Sequence, residues 1–347
     1  MLPNSAKWTR LVYAGTALGA VSMILAGCSS PSSGGSKTDA SGSLVKIAAV
    51  IKGLDNPFFQ AMEDGINNTA KSDGVSVTVQ AAANITDDAG QADKLTTMAG
   101  QDFGCFVVNP ISGTNLIQGL AQIAQAKKTV INIDNPIDKS AAKTANLKIA
   151  TYIGTDNVAA GKKAGDFVVS KVDAGSKVAI IGGIAGDVTS NARVTGFKSA
   201  ASGLDVVQEV AADWDRSKAL TAATTIIAAN SSIAAIFAAN DDMGLGVVKA
   251  VANAGLTGKI VVVSVDGNKD ALQSIADDGL SATVAQYPYA IGSLGIQACE
   301  VVKKGKTLPA SVVSPTALVT KDIAAKAIAA FPQPFAPFDN PLAALLK

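Results

Sequence analysis

The chain has 347 residues, 48% hydrophobic and 16% charged, which is enough apolar side chain for a large core and for more than one compact unit. A formal net charge of +1 leaves no electrostatic footprint for nucleic acid. Histidine is absent, which removes His-based triads, His metal ligands and the usual general base near neutral pH.

At the N-terminus, Lys7 and Arg10 precede an apolar run over residues 11–26, and Leu25-Ala26-Gly27-Cys28 closes it. The run is short for a membrane span and has the flanks of a signal peptide. The tetrad resembles a bacterial lipobox. Residues 1–27 are therefore expected to be a lipoprotein signal peptide, Cys28 the lipidated residue, and 28–43, rich in Ser and Gly, a flexible tether. The mature protein is expected outside the cytoplasm, on the periplasmic or cell-surface side, held to the membrane only through its lipid.

From Val45 onward, short β-branched runs alternate with helical segments of a dozen residues or more. KIAAVI leads into Ile51-Lys-Gly-Leu-Asp-Asn-Pro-Phe-Phe-Gln60, where Asn56 suits a helix N-cap and Pro57 the first helical position. Phe58 and Phe59 are adjacent in a chain only 5% aromatic, and neighbouring helical residues point about 100° apart, so one core cannot take both rings. The later strands read VSVTVQAA, FGCFVVN, TVINID, IATYIGT, KVAIIGG, VVQEVAA, IAAIFAAN, KIVVVSVDG and SATVAQ. Near-continuous apolar strands are what a parallel sheet covered on both faces requires, so the class is α/β, doubly wound, and ten strands imply two sheets and two lobes. Cys105 and Cys299 lie in an apolar strand and an apolar helix and read as two buried free thiols, a bond between them staying open.

Ligands of such sheets bind beyond the carboxyl ends of the strands. The polar residues at those ends are Lys52, Asn109, Asp134, Asn240, Asp266 and Gln286. Carboxylates accept two hydrogen bonds and amides both donate and accept, which suits a hydroxyl-rich ligand. Gly182-Gly183-Ile184-Ala185-Gly186 fits no phosphate-loop pattern and reads as a tight turn, while Asp241-Asp242 sit where a helix starts and favour its dipole.

Asn56-Pro57-Phe58-Phe59, Ala239-Asn240-Asp241-Asp242-Met243-Gly244-Leu245-Gly246, Val265-Asp266-Gly267 and Ala285-Gln286-Tyr287-Pro288 together resemble the periplasmic sugar-binding proteins of ABC importers, of the ribose-binding type, over roughly residues 45–320. The resemblance implies two doubly wound lobes joined by a three-strand hinge, with crossings near Gly154-Thr155, Gln286-Tyr287 and Ser314-Pro315. The lobes would then be 44–154 plus 287–313 and 155–286 plus 314–330, followed by a Pro/Phe-rich tail, 331–347, expected to pack on the outside of one lobe or fray. It also implies that Phe59 faces Trp214 across a sugar, that Phe58 beside it walls the pocket or braces the helix against the sheet, and that Asn56, Asp134, Asn240, Asp266 and Gln286 bind hydroxyls. Three positions depart from ribose binders: Lys52 stands for a small hydroxyl residue, and Asn135 and Asn191 stand where arginines are carried. Arg193 matches a structural arginine. A different pentose or hexose, or an acyclic polyol of four to six carbons, fits that change as well as ribose does.

The implied function is capture of a monosaccharide or polyol by lobe closure and delivery to an ABC permease with its ATPase. It needs no catalytic residue, cofactor, metal or nucleic acid, and the protein is expected to act as a monomer. The alternatives are a chemoreceptor or signal-molecule binder of the same fold and a carbohydrate-acting enzyme. A LacI-type repressor would need an N-terminal DNA-binding unit where this chain has a signal segment.

Overall fold

The computed structural model describes residues 46–347; the leader, Cys28 and the tether lie outside them. Among the described residues no helix is long and apolar enough to cross a membrane.

β1 (Lys46–Ile51) buries every residue after Lys46, as a strand covered on both faces must. α1 (Pro57–Asp73) starts where Asn56 accepts a hydrogen bond from the Phe58 amide at 2.9 Å and stops at Gly74, whose φ of +67° suits a left-handed cap. Strand–helix units then repeat through β2 (Ser76–Ala81), α2 (Asp88–Ala99), β3 (Cys105–Val108), α3 (Ile117–Gln125), β4 (Thr129–Ile133), α4 (Lys139–Thr144) and β5 (Thr151–Thr155). With β11 (Ser311–Ser314) these strands form a parallel sheet in the order β11-β5-β4-β3-β1-β2.

The second lobe is built from α5 (Asn157–Val169), β6 (Lys177–Gly182), α6 (Val188–Ala200), β7 (Asp205–Ala211), α7 (Arg216–Ala229), β8 (Ile233–Ala238), α8 (Asp241–Asn253), β9 (Val261–Asp266), α9 (Lys269–Ala276) and β10 (Ala282–Ala285). Its sheet runs β12-β10-β9-β8-β6-β7, parallel except where β12 (Ala317–Val319) pairs antiparallel with β10. The expected class, two doubly wound α/β lobes, is what the chain adopts. β11 and β12 are additional to the ten expected strands. At four and three residues they are too short to show a period, and they gain their edge pairings only from the sheets beside them.

The chain leaves the first sheet after β5 to begin α5, which packs on α6 and β9. It returns after β10 through Gln286-Tyr287 into α10 (Pro288–Lys303), which packs on α1, β3 and β4, and crosses again between β11 and β12. α11 (Lys321–Ala330) lies on α9. The Pro/Phe-rich segment that follows does not stay on one lobe. Phe331 and Phe335 pack on the second core, whereas Phe338, Leu342, Leu345 and Leu346, the last two within α12 (Ala343–Leu346), pack on the first.

Cys105 and Cys299 form a disulfide, which corrects the reading of two free thiols. They are 194 residues apart in sequence, and α10 is laid against β3 only after the chain has built the whole second lobe. Local pattern contains no trace of that return.

Candidate ligand-binding cleft

Strand order reverses between β1 and β3 in one sheet and between β6 and β8 in the other. Loops diverge from the carboxyl ends of the strands at such switch points and leave a crevice. Here they border a cavity between the lobes.

Three rings wall the cavity: Phe58, Phe59 and Trp214. Phe58 and Phe59 are both buried on the first lobe's core, which corrects the expectation that one core could not take both, and they meet edge to face with centroids 5.2 Å apart as one L-shaped apolar surface at the start of α1. Trp214 comes from the other lobe at φ +62°, directly after Asp213 at +53°, conformations that bulky L-residues rarely adopt. Its ring lies against Gly183, where a Cβ would come within 2.3 Å of the indole. The Gly182-Gly183 turn is thus more than a turn, since it provides the floor for that ring. Gly183→Ala should displace Trp214 and weaken ligand binding by up to about tenfold, the equivalent of a lost aromatic contact worth roughly 0.5–1.5 kcal/mol. An unchanged dissociation constant together with unchanged tryptophan fluorescence would disprove that role.

The polar wall carries two cations, Lys52 and Arg193, against three carboxylates, Asp134, Asp187 and Asp266. Lys52 Nζ sits 5.5 Å from the centre of the Phe59 ring, a cation–π placement. Asp134, at φ +59°, is held by its main chain: its amide donates to the Ile153 carbonyl at 2.8 Å and its carbonyl accepts from the Tyr152 hydroxyl at 2.6 Å. Burial raises the Asp134 pKa, with Lys52 and then Arg193 pulling it back. Asp266, at φ +146°, accepts from Gln286 Nε2 at 2.7 Å and from Arg193 Nη1 at 3.2 Å. Burial raises its pKa as well, opposed chiefly by Arg193. Arg193 is fixed further by the Ala239 carbonyl at 2.7 Å and by Asn157 Oδ1 at 2.9 Å. Three of the cavity residues therefore hold positive φ, strain that persists only where surrounding contacts over-determine it.

Asn56, Asn240 and Asp187 line the cavity as helix N-caps, each accepting from the amide two or three residues on. The cap uses one oxygen and leaves the rest of the side chain for other partners. For Asn56 that partner lies across the cleft: its Nδ2 donates to Asp242 Oδ2 at 3.0 Å, and Asp242 is in turn gripped by Arg216 at 2.6 Å. The adjacent Asp241 is buried, with a pKa raised to about 6 by burial, and accepts from Ser264, Thr283 and the Asn268 amide. Of the acidic pair, one braces α8 against β9 and β10 while the other reaches the opposite lobe.

Two expected ligand contacts fall elsewhere. Asn135 is buried behind the cavity, its Nδ2 donating to the Pro110 and Ile111 carbonyls and its Oδ1 accepting from Thr189 across the cleft at 3.2 Å. Asn191 is exposed, because two residues along a helix turn the side chain about 200° away from Thr189, which does line the cavity. Arg193 is four residues from Thr189 and so returns to the cavity face. The arginine expected to be structural is thus both structural and part of the wall, and one guanidinium remains where none was expected. Asn109, another strand-end residue, is buried behind the wall, its Oδ1 accepting from the Asn135 amide at 3.4 Å. Asp187 and Thr189 were legible in principle, since they follow β6 as Asn240 follows β8. Among the described residues no cluster of His, Cys, Asp and Glu could hold a metal ion.

A cleft between two doubly wound lobes, polar at its strand ends and aromatic on both sides, has the chemistry to hold a small hydroxylated solute. The sequence matches the periplasmic binding protein domain family over residues 47–307, and the chain belongs to that family. It is 38% identical over 269 residues to the D-allose-binding periplasmic protein of Escherichia coli (strain K12), covering 76% of this chain and 86% of the relative. It is 32% identical to the ribose import binding protein RbsB of Bacillus subtilis (strain 168), covering 84% of this chain and 90% of that one. Among solved structures, an ABC transporter periplasmic solute-binding protein from Actinobacillus succinogenes 130z with bound D-allose superposes with a TM-score of 0.76 at 28% identity, covering 81% of this chain and 99% of the other.

Proposed function

We propose that this protein is the extracytoplasmic sugar-binding component of an ABC importer, that it closes over one monosaccharide or polyol, and that it presents the closed form to a permease and its ATPase. The observation that carries the reading is the cavity itself: Phe58 and Phe59 on one lobe oppose Trp214 on the other, with carboxylates, amides and Arg193 around the edge. The C–H face of a sugar ring is apolar and its rim is hydroxylated, so rings on the faces and charged acceptors at the edge match it. Relatives named for allose and ribose binding make an aldose the first ligand to try. In this reading Lys52, Asn56, Asp134, Asn240, Asp266 and Gln286 meet hydroxyls, and so do Asp187, Thr189 and Arg193. A disulfide suits an oxidising compartment, and with the leader sequence it supports a protein outside the cytoplasm, tethered through Cys28.

Isothermal calorimetry against D-allose, D-ribose, other pentoses and hexoses, and C4–C6 polyols tests the reading. At least one sugar should bind, and a panel without any binder would reject it. With the ligand known, Asp134→Ala should weaken binding by about 10- to 150-fold, the equivalent of a lost charged hydrogen bond worth roughly 1.5–3 kcal/mol. Unchanged affinity would remove Asp134 from the site.

A further inference from the structure

We propose that residues 331–346 form a strap across the hinge that favours the closed lobes and thereby sets ligand affinity from outside the cleft. The segment lies beyond the residues that match the family, which end at 307. One end is fixed to the second lobe: the Phe331 amide donates to the Ala327 carbonyl at 3.1 Å, and Phe331 and Phe335 pack on that core. The other end is fixed to the first lobe. Leu342 is fully buried there, Asn340 Nδ2 donates to Gln297 Oε1 at 2.8 Å, and Lys304 Nζ donates to the Leu346 carbonyl.

Between the anchors the strap grips the hinge. Tyr287, the crossing residue after Gln286, is met edge-on by Phe335 at 5.8 Å and lies nearly parallel to Phe338 at 6.4 Å. Gln286 lines the ligand cavity on one side and, on the other, a small cavity under Phe331 and Phe335. The strap and the ligand thus share a wall. Only Ala336 and Pro337 separate Phe335 from Phe338, and an extended chain reaches at most about 3.3–3.6 Å per residue. In this proposal, rotation of the lobes draws on that short span and unstacks Tyr287 or pulls out an anchor. The strap contacts coexist with the cross-cleft bonds Asn56–Asp242 and Thr189–Asn135, so they add to the weight of the closed conformation. Apparent affinity scales with the population of the binding-competent state, and the strap raises it without touching ligand.

The test slackens the strap and leaves its anchors in place, by inserting about four Gly/Ser residues between Ala336 and Pro337. Phe338→Ala is the second variant, to be used if circular dichroism finds the insertion unfolded. Small-angle scattering of the ligand-free protein should give a larger radius of gyration for the variant than for the wild type. The affinity arm rests on the sugar-binding reading: calorimetry with D-allose should give a dissociation constant raised about tenfold, a usual size for coupling between sites. An unchanged ligand-free radius of gyration, or unchanged affinity with only the melting temperature lowered, would overturn the proposal and leave the segment a mere stabiliser. If the wild type binds none of the sugars or polyols, the sugar reading fails, and scattering still decides the strap.

Discussion

Asp266→Ala is expected to lower unfolding free energy by about 3–5 kcal/mol, the penalty of breaking a buried ion pair from one side. Asp266 and Arg193 are 6% and 5% exposed at their side chains, so the guanidinium cannot recover its lost partner from bulk water. The same carboxylate accepts from Gln286 and, at 3.5 Å, from the Asp241 amide, which ties β9 to the hinge and to the start of α8. The substitution should therefore also displace Arg193 and Gln286 from the cavity wall, and sugar binding should fall with stability. Asp266→Asn keeps an acceptor in place and should lose less of both. Urea denaturation measures the first effect and calorimetry the second. A midpoint for Asp266→Ala equal to that of the wild type would show that the ion pair does not hold the cleft.

Replacing both cysteines, Cys105→Ala with Cys299→Ala, is expected to cost about 2–5 kcal/mol, with the long loop placing it toward the upper end. The bond joins β3, in the middle of the first sheet, to α10, which arrives after two crossings of the hinge. In the unfolded chain it closes a 194-residue separation, and that constraint disappears with it. Thermal unfolding of the double variant should show a lower midpoint under conditions where sugar affinity is little changed, because neither sulfur lines the cavity. A midpoint unaffected by the double substitution would mean that packing of α10 on α1 and β4 already holds this element in place. The cleft and the disulfide thus answer to different measurements, one through ligand affinity and the other through unfolding.

Much of the cleft is legible in the amino-acid sequence. Lys52, Asp134, Asn240, Asp266 and Gln286 were found by one rule, that polar residues at the carboxyl ends of apolar strands face the crevice, and all five line the cavity. The start of α1 was equally local: Asn56 caps, Pro57 leads, and the two phenylalanines follow by helical geometry. The rule failed at Asn109, and matching by position failed at Asn135 and Asn191. A strand end fixes where the backbone emerges, whereas the side chain's direction depends on what lies across from it. Asn135 is turned back by two carbonyls of a neighbouring loop, and Asn191 is carried to the outside by the helical repeat.

The amino-acid sequence by itself determined the alternation of strands and helices, the α/β class, and the set of polar strand ends from which the cleft is made. These follow from hydrophobic period, caps and turn residues, whose physics acts within a dozen neighbours along the chain. Tertiary structure alone decided the Cys105–Cys299 bond, the Arg193–Asp266 pair, the reach of Asn56 to Asp242, and the passage of the C-terminal segment over Tyr287. Each of these joins residues from 51 to 194 positions apart: Arg193 and Asp266 meet because the second lobe sets α6 beside the end of β9, and the others meet because two lobes are built and the chain then crosses back between them.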